Sequence, residues 1–123
     1  MVKYIDEMGT ASATAVTYTA MTGSPYSPLK NGKLTAVRVT MAGQAVTSLM
    51  EELSVRLTCP DWGVPVIVKI GGGALRTAPA VPIPTAEVDV DLPVSQASKI
   101  TLEYKFNVTA VTPQVSVCGV FEA

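Results

Sequence analysis

Between Lys99 and Val108 the chain reads KITLEYKFNV, so Ile100, Leu102, Tyr104, Phe106 and Val108 fall on one side of an extended backbone. Thr101, Glu103, Lys105 and Asn107 fall on the other. A two-residue period of this kind is a β-strand with one dry face. The same period returns in Leu53, Val55, Leu57 and Cys59 and in Val88, Val90 and Leu92, which predicts antiparallel sheets, each wetted on one side.

The rest of the chain divides around these strands. Residues 1–11 carry mixed charge and Gly9 without a sustained period, and are expected as an N-terminal arm ahead of a single sandwich domain, 12–123. Ser12 to Thr19 is rich in Thr, with Val16 and Tyr18 marking a first strand. Thr22 to Gly32 reads as a long turn, because Pro25 and Pro28 cannot join a central ladder and Asn31-Gly32 favours positive backbone angles. Lys33 to Ala42 follows as a strand, apolar on both faces in part: Val37, Val39 and Met41 on one, Leu34 and Ala36 on the other. Gln44 to Glu52 is a loop or single helical turn, being too short for a stable helix. The strand Leu53 to Cys59 leads into a turn at Pro60-Asp61-Trp62-Gly63 and a strand Val64 to Ile70, with Val64, Val66, Val68 and Ile70 on one face. Gly71 to Gly73 end it, and Pro79, Pro82 and Pro84 mark an extended connection. Strands Ala86 to Leu92, Lys99 to Val108 and Gln114 to Glu122 complete the chain. About seven or eight short strands with little helix predict an all-β, two-sheet antiparallel sandwich of jelly-roll or Greek-key type, with an immunoglobulin-like sandwich as the alternative.

Composition narrows what such a sandwich does. In 123 residues there are nine basic and ten acidic side chains, 15% charged in all, against about 25% in an ordinary soluble domain. Small, uncharged and β-branched residues stand in their place, a surface suited to packing against another protein. The nine bases are scattered, so no stripe exists to neutralise a phosphate backbone and nucleic acid is not an expected partner. Histidine is absent altogether, which removes His bases, Ser-His and Cys-His pairs and every His-containing metal site. No apolar run reaches signal-peptide or membrane-span length, so a soluble chain made inside the cell is expected, without a membrane partner. Cys59 and Cys118 read as small buried residues, and their spacing leaves open whether they meet.

Several motifs invite chemistry and fall short of it. Glu87, Asp89 and Asp91 alternate, placing three carboxylates on one strand face. Same-face neighbours are roughly 6 to 7 Å apart, too far for the compact oxygen cage of Ca²⁺. The expected role is a solvated face opposite Lys99 and Lys105 of the next strand. Lys69 to Gly73 is not a phosphate loop, since it lacks the G-x-x-x-x-G-K-[ST] pattern and a following helix. Asn107-Val108-Thr109 matches a glycosylation triplet but starts inside a strand. Trp62 and Tyr26 lie in turns and are the candidate platforms for a sugar ring, Trp62 being the better placed for partial burial at a sandwich corner. No catalytic residue, cofactor, metal or small-molecule substrate is expected.

A small β domain with no catalytic set, an uncharged Thr/Val/Ala surface, a leading arm and a Pro-rich loop resembles the capsid decoration (cement) proteins and small jelly-roll subunits of tailed viruses. The resemblance is one of style over most of the chain and includes no diagnostic motif. It implies a non-enzymatic virion protein, made in the host cytoplasm and carried on the capsid surface. Its implied partners are copies of itself, as a trimer, and a major capsid protein. Contact residues are expected in the arm, at Lys3, Tyr4, Ile5 and Met8, and in the loop, at Pro79, Val81, Pro82, Ile83 and Pro84. The competing expectation is a secreted sandwich module for adhesion or carbohydrate binding, with exposed aromatics near Trp62.

Overall fold

A computed structural model of the chain describes residues 2–13, 15–45, 52–71, 85–107 and 110–123. Eight strands build it: β1 (Lys3–Ala11), β2 (Thr19–Ala20), β3 (Gly32–Ala45), β4 (Glu52–Thr58), β5 (Val66–Gly71), β6 (Thr85–Val94), β7 (Thr101–Phe106) and β8 (Ala110–Glu122). They form two four-stranded sheets, ordered β1-β8-β3-β6 and β2-β7-β4-β5. The antiparallel pairings β1 with β8, β2 with β7, β3 with β6 and β4 with β5 are those of one long hairpin folded double. Rolling that hairpin adds β3 to β8 and β4 to β7, which is the jelly roll expected from the sequence and not the immunoglobulin alternative.

The predicted dry faces meet between the sheets. Leu53, Val55 and Leu57 of β4 and Leu102, Tyr104 and Phe106 of β7 pack against Val37, Val39 and Met41 of β3 and Val115, Val117 and Phe121 of β8, all buried. Full burial of each such aliphatic or aromatic side chain contributes about 1.5–3 kcal/mol. Ile100, just before β7, is held by a bridge to Tyr26. Turn glycines sit where expected: Gly32 has φ 156°, and a Cβ there would lie 2.1 Å from the Glu122 carbonyl oxygen.

Four local expectations are corrected. Residues 3–11 are no arm: they are β1, an edge strand paired along its length with β8. A bulge at Met8, between Glu7 and Gly9, breaks the period and hides the strand in the sequence. Among the described residues of the 12–20 segment, strand structure is confined to Thr19–Ala20; Ala15 accepts from the Phe106 amide along the same edge of β7, and the Tyr18 ring lies over Arg56 and Lys105. Val64 is 71% exposed, because β5 begins at Val66 after Pro65. The doubly apolar β3 is explained by a further bulge: Thr35 is an extra residue against β8, so Leu34 and Val37 both face the core. Its hydroxyl donates to the Val120 carbonyl at 3.0 Å. Residues 46–51, expected as a loop or single helical turn, and the glycine- and proline-rich stretch 72–84 lie outside the described residues.

Candidate interaction surface

In an antiparallel ladder, directly opposed residues point to the same side. The registers of the β1-β8-β3-β6 sheet therefore set its outward side chains in rows. Lys3, Glu122, Lys33 and Pro93 make the first row, Ile5, Val120, Ala36 and Asp89 the second. Glu7, Cys118, Arg38 and Glu87 make the third, Thr10, Ser116, Thr40 and Thr85 the fourth. An apolar row thus lies between two charged ones. Ile5 is 57% exposed, Val120 is half-buried and Ala36 is buried at 5%.

The expected contact residues divide on this sheet. Lys3 and Ile5 stand on its outward face, whereas Tyr4 turns inward and stacks on Phe121 at 5.1 Å. Met8 is buried in the core at 2% exposure and is not available for a surface contact. Pro79, Val81, Pro82, Ile83 and Pro84 lie outside the described residues. The sequence could not show that Ile5 shares a row with Val120 and Ala36, because that requires the register of three strands far apart in the chain.

The acidic strand face is also re-partnered. Glu87 pairs with Arg38 at 3.3 Å and Asp91 with Lys33 at 3.4 Å, across the β3–β6 ladder. Lys99 and Lys105 were the expected partners, but β6 and β7 belong to different sheets. Asp89 stands opposite Ala36 and has no ion-pair partner among the described residues. No group of three His, Cys, Asp or Glu among those residues is placed to hold a metal ion.

The other sheet presents a different face. Its registers give the outward rows Lys69, Ser54, Lys105 and Ile67, Arg56, Glu103, Ala20. Tyr18 lies over them, with the Arg56 guanidinium 3.9 Å and the Lys105 ammonium 4.8 Å from its ring centre. Arg56 also donates to Glu103 Oε1 at 2.8 Å. Beside Tyr18 is a recess of about 290 Å³ lined by Val16, Ile67, Lys69 and Lys105. Ile67 is 47% exposed.

Of the two predicted sugar platforms, one is buried and the other half-buried. Trp62 is buried, and its Nε1 donates to the Pro93 carbonyl at 3.0 Å, the corner role its position in a turn favoured. Tyr26 stacks on Phe121 and donates to Asp6 Oδ2 at 2.5 Å. Burial and the adjacent Asp6 carboxylate raise the Tyr26 hydroxyl above its usual range. Cys59 is buried and Cys118 faces outward on β8, both as free thiols. The Asn107 side chain accepts from the Glu52 amide at 2.7 Å, while Val108 and Thr109 lie outside the described residues.

Fold and surface together define a jelly-roll β-sandwich with an outward apolar row on one sheet and a cationic row on the other. No family model matches the chain, and no curated protein does. Among solved structures it is similar to one described as the Eiger TNF from S. frugiperda, with a TM-score of 0.52 over 99% of this chain and 92% of that one. Identity is 8%, so the likeness is one of fold.

Proposed function

We propose that the chain is a non-enzymatic structural subunit of a virion, a capsid decoration protein that assembles with copies of itself as a trimer and binds a major capsid protein. The outward row Ile5, Val120, Ala36 carries this reading. Ile5 is its exposed member at 57%, Val120 is half-buried and Ala36 is buried beside them, and charged rows frame it, the arrangement of an interface core within a polar rim. Four strands and four rows span roughly 400 Å², about half of the 800 Å² per partner usual in a stable contact. The remainder is assigned to the loop that precedes β6, which contains Pro79 to Pro84. The secreted, sugar-binding reading is weakened where Trp62 is buried and the half-buried Tyr26 is engaged by Asp6 and Phe121.

Light scattering and co-sedimentation with capsids test the proposal. The expected particle has three times the 12.8 kDa chain mass and travels with the shells. Ile5→Lys is expected to leave the melting temperature unchanged and to abolish co-sedimentation. A folded chain whose Ile5→Lys variant still binds capsids sinks the assignment of this face, and a chain that ignores capsids sinks the reading.

A further inference from the structure

Ten acids and nine bases leave the chain almost neutral, and among the charges outside the ion pairs, Lys69 and Lys105 stand on one sheet and Asp89 on the other. On the β2-β7-β4-β5 sheet, Lys69 and Lys105 flank Ser54 in one outward row. Neither forms an ion pair among the described residues, where the pairs are Lys33 with Asp91, Arg38 with Glu87 and Arg56 with Glu103. Apolar Val16 and Ile67 line the same recess together with Glu52, so two lysines stand against one carboxylate there. On the other sheet, the edge strand β6 presents Glu87, Asp89 and Asp91, with Asp89 unpaired between two carboxylates that have partners. Beneath this acidic side lie Val88, Val90 and Leu92, only partly buried, because a strand at a sheet edge has a neighbour on one side alone.

We infer that the recess of Val16, Tyr18, Ile67, Lys69 and Lys105 receives the β6 edge of a second copy of this chain, with Asp89 seated at the lysine row. This rests on the self-assembly in the proposed function and names the surfaces that meet. Charge decides between the possible contacts. Two β6 edges brought together would oppose Asp89 with Asp89, Glu87 and Asp91 being already paired, and two recesses, each with two lysines to one glutamate, would repel likewise. Acid edge on cationic recess is the attractive combination. Such a contact joins two different patches, so it is heterologous: each copy offers one patch and leaves the other for the next. A heterologous contact that closes makes a ring, the form a trimer requires.

Charge reversal tests it. Both Asp89 and Lys69 are exposed, so Asp89→Lys and Lys69→Glu should keep the melting temperature, and each should weaken self-association at least tenfold by sedimentation velocity. The double variant Asp89→Lys/Lys69→Glu restores the attraction with its sign reversed and should associate within about threefold of the unmodified chain. Raising salt from 0.05 to 0.5 M should weaken both alike, as an electrostatic contact demands. Folded single variants that associate normally, or a double variant no better than the singles, overturn the inference. So does an unmodified chain that stays monomeric. Capsid co-sedimentation of the same variants separates the two proposals: if shells still take up a chain whose association ignores charge reversal, the recess is refuted and the decoration reading stands.

Discussion

Across β2, β7, β4 and β5 the outward side chains lie partly beneath the chain's own segment 15–20, whose Tyr18 ring contacts Arg56 and Lys105. Across β1, β8, β3 and β6, Ile5 stays 57% exposed and Val120 half-buried. Both sheets follow the same alternation, and each has one dry side in the core. The difference lies in what the chain does with the remaining side. One is partly covered by the Tyr18 ring and keeps a recess with two lysines and Glu52; the other leaves Ile5 to solvent. A buried face reports on stability and an open one on partners, so substitutions on the two should separate folding from assembly.

The largest effect should come from beneath both faces and should not distinguish them. Phe121 is stacked by Tyr4 on one side and Tyr26 on the other, and Phe121→Ala is expected to cost about 3–5 kcal/mol in urea unfolding. A loss under 1 kcal/mol would mean that the inner layer is not packed as described. Next, Tyr18→Ala should cost about 1–2 kcal/mol, since it removes an aromatic body and two cation contacts. Ile5→Ala on the open face should stay within about 0.5 kcal/mol. Equal costs would erase the distinction between a covered and an uncovered sheet.

The ion pairs offer a finer test. Arg56 donates to Glu103 from two nitrogens and lies on the Tyr18 ring, whereas Arg38 meets Glu87 in a more exposed ladder. A double-mutant cycle is expected to give about 1 kcal/mol for the first pair and no more than about 0.5 kcal/mol for the second. The smallest effect is confined to alkaline solution. Tyr26 is held neutral in the fold by burial and by its bond to Asp6, so the unfolded chain loses that proton first. Its contribution is intact below the ordinary tyrosine value of about 10 and declines as pH rises beyond it. Tyr26→Phe should flatten the stability profile there, and an unchanged slope would remove Tyr26 as its source.

Much of this architecture was legible in the order of apolar residues. The strands β4, β6 and β7 keep an unbroken two-residue period, and the turns around them carry Pro, Gly and Asn. What escaped was whatever interrupts the period or joins distant segments. At Met8 a bulge shifts the phase, and Asp6 stands on the inward side with Tyr26 as its partner, so β1 reads as an irregular, charged stretch. Thr35 likewise makes β3 look apolar on both faces. The partners of Glu87 and Asp91 were misplaced because β6 and β7, though adjacent in sequence, lie in different sheets. The candidate surface was legible only as far as Lys3 and Ile5, since its remaining members come from β8, β3 and β6.

The pairing of the first strand with the last also sets when the molecule can finish folding. β1 borders its sheet, and its ladder partner is β8, so about 100 residues must be synthesised between Ala11 and Ala110 before that ladder can form. At ribosomal speeds this is on the order of 5–20 s, far longer than a local hairpin needs to close. During that interval Tyr4 and Met8 wait beside an incomplete sheet. A nascent chain stalled before β8 should therefore expose them to chaperones and proteases, and release from the ribosome should coincide with their protection.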